Sequence, residues 1–331
     1  MIDIVVLIIS LVIILLGAEV FTNSVEWLGR KLKLGDGAVG SVFAAVGTAM
    51  PETLVPIIAI FGGYGAGGHD VGIGAILGAP FMLATLAMFV TGAAAIIKHR
   101  KNSSMNIDTI VLSRDLRYFL IVYAVAIAAA FLPMFWMKAI VAAFLVIAYA
   151  QYAYKTIKGS IGRYDFDVDI KPLYLKRKDN NPSSVIVIIQ LAAALAIIIF
   201  GAQLFVTKVQ LVASALGVAV LVLSLIITPI ATELPEKFNS IIWVSRGKET
   251  LALGNITGAM VFQSSILPAL GIIMTEWELE PLALFSAIIA LSAAAYHFCG
   301  LKGKHGLRIN HLLISGLFYT AFIAVAVSGI I

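Results

Sequence analysis

The chain has 331 residues, of which 61% are hydrophobic and only 12% are charged, and its formal net charge is +5. A soluble domain carries about 25% charged residues, so this composition excludes an ordinary soluble protein. Apolar runs of about 20 residues, long enough to cross a bilayer as helices, recur along the whole chain. The sequence therefore predicts an all-α, multi-pass protein of a cell membrane.

We predict ten membrane spans, at 4–22, 38–61, 72–97, 118–134, 137–154, 184–206, 215–243, 251–273, 281–299 and 311–330. The first run lacks the basic segment of a signal peptide, so we expect it to be a membrane helix. The span 215–243 is long enough to tilt or to contain a break. The glycine-rich stretch 62–70 is expected to be a flexible outer connection.

The basic residues predict the orientation in the membrane. Nearly all of the 23 Lys and Arg residues fall in the loops that follow odd-numbered spans, and the exceptions are Lys138, Lys208 and Lys237. Positive charge marks the cytoplasmic side of a membrane protein. We therefore expect both termini outside and the large central loop in the cytoplasm. The single cysteine, Cys299, excludes an intrachain disulfide.

The chain divides into two halves of five spans, residues 1–157 and 184–331, joined by a polar cytoplasmic linker at 158–183. An odd number of spans in each half inserts the second half upside down. Such inverted repeats are typical of secondary transporters.

Short motifs support this duplication. "GAEVF" (17–21) precedes Pro51 by the same distance that "GAQLF" (201–205) precedes Pro235. Further along, "GAILGA" at 74–79 corresponds to "GNITGA" at 254–259. Each half also contains the skeleton Thr-x-x-Pro-Glu.

Carboxylates lie inside these apolar spans. Glu52, Glu233 and Glu236 fall well within predicted spans, and Glu19 falls nearer the end of the first. A charge at the membrane centre costs about 2.5–3.5 kcal/mol on insertion scales, so each carboxylate needs a partner or a cavity. One explanation is protonated carboxyl groups hydrogen-bonded to neighbouring helices. For Glu19 this explanation and a functional one are equally open.

The prolines favour a cation site instead. Pro51 and Pro235 each remove a helical N–H and free carbonyls one turn back, near Thr48 and Thr232. Unwound backbone at membrane depth is tolerated where it lines a cavity or coordinates ions. Carbonyl and carboxylate oxygens are the ligands that Ca²⁺ prefers. A zinc or copper site would need His or Cys, and all five histidines fall at span ends or in loops.

These motifs resemble the Ca²⁺/cation antiporter superfamily, particularly its prokaryotic sodium/calcium exchanger branch. That family has two repeats of the form G-T-S-x-P-E followed by G-N-x-x-G-S-N; here they read "GTAMPE" (47–52) with "GAILGA", and "IATELPE" (230–236) with "GNITGA". The resemblance implies ten helices in two inverted five-helix repeats. It implies that Glu52 and Glu236 bind Ca²⁺, together with the carbonyls of Thr48 and Thr232.

The chain departs from the family pattern at the expected sodium ligands. The family serines become Ala49 and Glu233, and the Asn or Asp of the ion cluster falls at Leu83 and Gln263. Glu233 lies three residues before Glu236, on the same helix face. We therefore include Glu233 and Gln263 among the candidate ligands. Because clustered carboxylates repel one another, one of them should hold a proton when no metal is bound, which makes H⁺ a second candidate for the counter-ion.

The resulting prediction is a secondary antiporter that exchanges Ca²⁺, or a similar divalent cation, for Na⁺ or H⁺ by alternating access, with no cofactor and no catalytic residues. By resemblance, the first span of each half slides across the core. A cation channel and an intramembrane enzyme are the alternatives, but the chain has no His-Glu-x-x-His motif and no Asp well inside a predicted span. The expected partners are the transported ions and the bilayer, with no nucleic acid and no required protein.

Overall fold

A computed structural model describes residues 2–31, 50–98, 105, 107–160, 171–179, 181–245, 247–302 and 307–328. Nearly all of these residues are helical. By length and composition, seven of the described helices could cross a membrane, and two shorter apolar helices cover Glu52–Phe61 and Val220–Ile230. The predicted all-α membrane class is confirmed.

The described residues form six helices in each half, and those of the first half come first. They are α1 (Ile2–Lys31), α2 (Met50–Phe61), α3 (Gly65–Met82), α4 (Met88–Lys98), α5 (Thr109–Ala128) and α6 (Phe135–Ser160). A π-helical turn, Leu83–Ala87, joins α3 to α4, so the two form one continuous rod. A 3₁₀ turn at Tyr174–Lys176 follows in the linker.

The second half also contains six helices. They are α7 (Ser184–Leu216), α8 (Val220–Thr232), α9 (Leu234–Ser245), α10 (Glu249–Met274), α11 (Pro281–Lys302) and α12 (Ile309–Ser328). The predicted span 215–243 is therefore two helices with a break at Glu233. The break follows from Pro235, which has no N–H to continue the helical ladder.

Several predicted boundaries were wrong. The stretch 62–70 is not a loop throughout, because α3 begins at Gly65. Basic residues that we expected in loops instead lie on helix ends: Arg30, Lys31, Arg114, Arg117, Lys155 and Lys158. The cause is the long side chains of Lys and Arg, which keep their charge in water while the helix beneath them continues.

Helices α1 and α7 form an antiparallel pair. Near the start of α1, Asp3 accepts a hydrogen bond of 2.7 Å from Lys208, late in α7. Towards the end of α1, the Oγ of Ser24 accepts a bond of 2.9 Å from Gln190, early in α7. The order of these contacts is reversed between the two helices, so they run in opposite directions.

Glycines let the pair cross closely. A Cβ added to Gly17 would lie 2.8 Å from Cγ1 of Ile198, and one added to Gly201 would lie 2.9 Å from Cγ1 of Ile14. Ile14 precedes Gly17 by three residues, as Ile198 precedes Gly201. The two contacts are therefore equivalent: each glycine lies against the isoleucine that comes three residues before the other glycine.

The remaining helices surround α3 and α10. α3 packs against α8, α2 and α11, while α10 packs against α5, α6 and α9. The largest apolar core lies among these helices and includes Phe81, Phe119, Tyr123 and Trp277, all almost fully buried. The indole of Trp277 donates a 2.9 Å hydrogen bond to the carbonyl of Ala126, which satisfies its polar atom inside the core.

Candidate cation site

The structure describes the six candidate ligands to different extents. The side chains of Glu52, Thr232, Glu233 and Gln263 are all buried, with exposed fractions of 3% or less. For Glu236 only the position in the backbone is described. Thr48 lies outside the described residues, as does its carbonyl.

The two Pro-Glu pairs occupy equivalent places in two short helices. Met50, Pro51 and Glu52 are the first three residues of α2, and α9 begins in the same way with Leu234, Pro235 and Glu236. Both helices contain 12 residues. Proline suits the first turn of a helix because the N–H that it lacks would have no intrahelical partner there.

This placement favours carboxylates. The first turn of a helix presents free N–H groups and the positive end of the helix dipole, and an anion there is stabilised by about 0.3–1 kcal/mol or more when partly buried. Glu52 lies in the first turn of α2 with its side chain buried. The sequence motif therefore places a proline and an acid at the start of α9, directly after the break at Glu233, and at the start of the described part of α2.

The end of α8 supplies backbone oxygens at the break. Thr232 is the last residue of α8, where carbonyls lack intrahelical partners. Its hydroxyl donates to the carbonyl of Thr228 at 3.1 Å and so stays on its own helix. Glu233 follows between the two helices, and its N–H donates to the carbonyl of Pro229 at 3.1 Å.

Lys237 gives Glu233 a cationic neighbour. The Nζ of Lys237 lies 4.0 Å from Oε2 of Glu233, and both side chains are buried. The ammonium also donates to the carbonyl of Pro229 at 3.3 Å. Lys237 directly follows Glu236, and we did not pair it with Glu233 from the sequence. The helical spacing of four residues between Glu233 and Lys237 is the signal that would have paired them.

Helices α3 and α10 carry the later glycine motifs. Gln263 lies on α10, and its Oε1 is buried with no hydrogen-bond partner among the described residues. Leu83, at the corresponding position of the first half, is fully buried in the π-helical turn. One half therefore offers a buried amide oxygen at this position, whereas the other offers an apolar side chain.

The helices that carry these residues converge. α2, which bears Glu52, contacts α3, α8 and α10. Within the described part of the chain, however, no three His, Cys, Asp or Glu side chains come together as a metal cluster. The predicted trio of Glu52, Glu233 and Glu236 includes one side chain outside that description, so the ligand set stays a prediction.

Glu19 lies elsewhere. Its carboxylate accepts hydrogen bonds from Lys171 at 2.8 Å and from the Tyr174 hydroxyl at 2.7 Å. Both partners belong to the linker, and the bond from Lys171 raises the pKa of that ammonium. The carbonyl of Lys171 accepts further bonds from Asn23 and Trp27 of α1. The structure therefore makes Glu19 an anchor for the linker rather than part of the cation site.

A buried carboxylate connects two core helices and was missed in the sequence. Asp115 of α5 is 1% exposed and pairs at 2.9 Å with Arg114, while its other oxygen accepts a bond from Thr257 of α10. We placed Asp115 near a span end, which is correct, but we did not expect it to be buried. His297 was likewise expected at an exposed end; it is fully buried and lies 2.6 Å from the Ser315 hydroxyl.

Known proteins with this architecture are membrane proteins. The structure of the H⁺/Ca²⁺ exchanger CAX matches with a TM-score of 0.77 at 16% identity, covering 98% of this chain and 82% of that one. A sodium-calcium exchanger, NCX_Mj, matches with a TM-score of 0.59 at 20% identity and covers 98% of both chains. At these identities the likeness defines the fold: a helical, multi-pass membrane protein of the exchanger type.

Sequence comparison identifies the family. The inner membrane protein YrbG of Escherichia coli (strain K12) is 23% identical over 329 residues, 94% of this chain and 93% of that protein. The putative antiporter CaxA of Alkalimonas amylolytica is 25% identical, over 80% of this chain and 77% of that one. The family described as "Sodium/calcium exchanger protein" matches residues 2–158 and 186–328. The chain belongs to the sodium/calcium exchanger family.

Proposed function

We propose that this protein is a secondary active antiporter that exchanges Ca²⁺, or a similar divalent cation, for Na⁺ or H⁺ by alternating access. The observation that carries the proposal is the duplicated helix start. Helices α2 and α9 each contain 12 residues, with proline in second place and glutamate in third, and the side chain of Glu52 is buried. The exchanger relatives support the same function.

The two halves form inverted five-helix repeats in this proposal. Equivalent contacts support it: α3 packs against α11 as α10 packs against α5, and α4 packs against α12 as α10 packs against α6. The reciprocal crossing of Gly17 and Gly201 in the antiparallel α1–α7 pair has the same symmetry. The halves are residues 1–157 and 184–331, with the linker 158–183 between them.

The orientation follows from the basic helix ends. The start of α5, the end of α6 and the end of α11 line one pocket, so three of the expected cytoplasmic connections leave from one side. Basic residues at these ends include Arg114, Arg117 and Lys155. This grouping supports a cytoplasmic linker and outer termini.

In this proposal the ion is bound by side-chain carboxylates and backbone carbonyls. Glu52 and Glu236 supply the carboxylates, the carbonyls of Thr48 and Thr232 complete the shell, and Glu233 and Gln263 add oxygen atoms at its edge. Ca²⁺ takes six to eight such ligands in flexible geometry. Movement of α1 and α7 across the core then opens the site to each side in turn. Their contacts with the core are largely apolar, as in the cluster that contains Leu7, Val55 and Phe205.

Proton coupling is the second candidate. Leu83 is fully buried at the position where the family has an Asn or Asp, so one expected Na⁺ ligand is replaced by an apolar side chain. A carboxylate cluster with fewer Na⁺ ligands returns across the membrane more readily when protonated. In this second mode the protein exchanges the divalent cation for H⁺, and its transport rate depends little on the Na⁺ concentration.

Uptake into proteoliposomes tests the function. We expect ⁴⁵Ca²⁺ uptake driven by an outward Na⁺ gradient or by an outward H⁺ gradient. Glu52→Gln and Glu236→Gln should each lower it more than about tenfold, because loss of even an outer partner of a metal ligand costs about 10–100-fold. Glu278→Gln, an exposed loop acid, is the matched control. Uptake unchanged in both site variants would overturn the assignment, and uptake that continues without any counter-ion gradient would indicate a channel.

A further inference from the structure

A basic pocket lies at the ends of three helices, apart from the proposed cation site. Its volume is about 520 Å³. The residues that line it include Ser113, Arg114, Arg117 and Tyr118 of α5, Lys155 of α6 and Leu301 of α11. With Thr109, three cations and three hydroxyl-bearing side chains thus line one cavity. This composition suits a phosphate group, which Arg binds through paired N–H donors and Lys binds as a point charge.

Two of the three cations, Arg114 and Lys155, are held in place. Arg114 pairs with the buried Asp115 and lies over the Tyr152 ring, with its guanidinium carbon 5.4 Å from the ring centre. Lys155 donates to the Tyr118 hydroxyl at 3.3 Å, and that hydroxyl in turn lies 3.1 Å from the side-chain oxygen of Gln151. Because their positions are set by these contacts, an incoming anion would not have to order them.

The described carboxylates near the pocket do not cancel its positive charge. Asp115 is committed to Arg114 and Thr257, and the carboxylate of Asp108 accepts bonds from the N–H groups at the start of α5. Neither carboxylate lines the pocket. Among the described residues, Arg117 and Lys155 have no carboxylate within ion-pairing distance. Two cations therefore remain for a ligand.

The surroundings of the pocket are those of a membrane interface. Ile110, at its edge, is 75% exposed, which suits contact with lipid chains. Next to Lys155, the exposed ring of Tyr154 lies 5.9 Å from the Lys158 ammonium. Exposed tyrosines beside basic residues are typical of the headgroup level of a bilayer. A ligand there would have its charged group in the pocket and its chains along Ile110.

We propose that the pocket lined by Arg114, Arg117 and Lys155 binds the phosphate headgroup of an anionic phospholipid. Basic pockets between membrane helices on the cytoplasmic side recognise such headgroups. A free phosphate shares the same chemistry, but it would gain nothing from the apolar edge. The proposal concerns a site separate from ion exchange and does not depend on the transported ion.

Lipid titration in detergent tests the proposal. Thermal unfolding of the purified protein would be followed during addition of short-chain phosphatidylglycerol, short-chain phosphatidylcholine, or sodium phosphate. We expect stabilisation by phosphatidylglycerol only. The double variant Arg117→Gln/Lys155→Gln should weaken the apparent affinity about 30-fold, since each basic residue near a membrane surface contributes about fivefold.

Two control variants make the result decisive. Lys176→Gln/Lys248→Gln removes the same number of exposed cations outside the pocket and should bind phosphatidylglycerol as the wild type does. Arg117→Lys/Lys155→Arg keeps both charges and should retain binding, which separates loss of charge from misfolding. Equal weakening in both Gln double variants, or stabilisation by phosphatidylcholine alone, would overturn the proposal. Equal stabilisation by sodium phosphate would assign the pocket to a free anion instead.

Discussion

The α1–α7 pair and the central helices differ in how far each is enclosed by protein. In the most apolar stretch of each helix, 33% of residues are buried in α1 and in α7, against 83% in the rod formed by α3 and α4 and 67% in α10. The pair therefore presents most of its surface to the surroundings. Its contacts with the core are largely apolar, apart from a 3.3 Å hydrogen bond from the Tyr64 hydroxyl to the carbonyl of Gln203.

This difference separates a part that can shift from a part that must stay fixed. Apolar contacts are not directional, so a helix pair can slide across them at a lower cost than across buried hydrogen bonds. The core contains such directional contacts, for example between Asp115 and Thr257 and between Trp277 and Ala126. Substitutions in the core should therefore reduce stability, and substitutions in the pair should reduce transport first.

The largest loss of stability is expected from Asp115→Asn. This carboxylate is 1% exposed and accepts two bonds from Arg114 and one from Thr257. Breaking a buried ion pair costs about 3–5 kcal/mol, and we expect the lower end because the Arg114 side chain is 28% exposed. Chemical unfolding in detergent measures the change. Thr257→Val, which removes one hydrogen bond, should cost about 1 kcal/mol. If Asp115→Asn unfolds at the wild-type denaturant concentration, the core is not held as we describe.

Gly78→Ala should follow in size. The added Cβ would lie 2.7 Å from the carbonyl oxygen of Leu225 and from Cγ of Pro229. Neither atom belongs to a flexible side chain, so α3 and α8 would have to separate. Overpacking of this kind costs about 1–3 kcal/mol. The same unfolding measurement applies, and a stability equal to that of the wild type would show that the two helices adjust freely.

These two sites show what the sequence could and could not predict. The duplicated Thr-x-x-Pro-Glu motif predicted a local interruption of the helical backbone beside two acids, because proline constrains the backbone locally. Gly78 belongs to the "GAILGA" motif, but its contact with Leu225 depends on the crossing of two distant helices. The pairing of Asp115 with Thr257 is also long-range, and no local pattern signals it.

Helix boundaries failed for a related reason. Hydrophobicity identified the spans, but it could not extend α1 to Lys31 or α6 to Ser160, because polar residues continue these helices beyond the apolar region. The break after Thr232 was anticipated as a possibility because the span was long. The role of Glu19 required the folded linker, since Lys171 is far from it in sequence.

The double variant Gly17→Ala/Gly201→Ala tests the pair. Each new methyl group would lie 2.8–3.1 Å from isoleucine side chains and 3.2 Å from a backbone nitrogen of the facing helix, so α1 and α7 would have to move slightly apart. We expect a stability loss under about 1.5 kcal/mol, smaller than that of Gly78→Ala. Ca²⁺ uptake should fall several-fold. A double variant that transports at the wild-type rate would contradict movement of this pair.

The smallest effect is expected at the anchor between α1 and the linker. Glu19→Gln removes the partner of Lys171, but the two side chains are 52% and 68% exposed, so the loss of stability should stay below about 1 kcal/mol and shrink further in high salt.

Because the hydrogen bond to Glu19 raises the pKa of Lys171 above its usual value of 10.5, the contribution of the ammonium is fully present below that pH and is lost only as the pH rises through the higher folded value. The difference in unfolding temperature between wild type and Glu19→Gln should therefore be constant from about pH 7 to 9. A difference that disappears within that interval would mean that another group titrates at the anchor. Tyr174→Phe, which removes the second donor to Glu19 but no charge, should show no salt dependence and serves as the control.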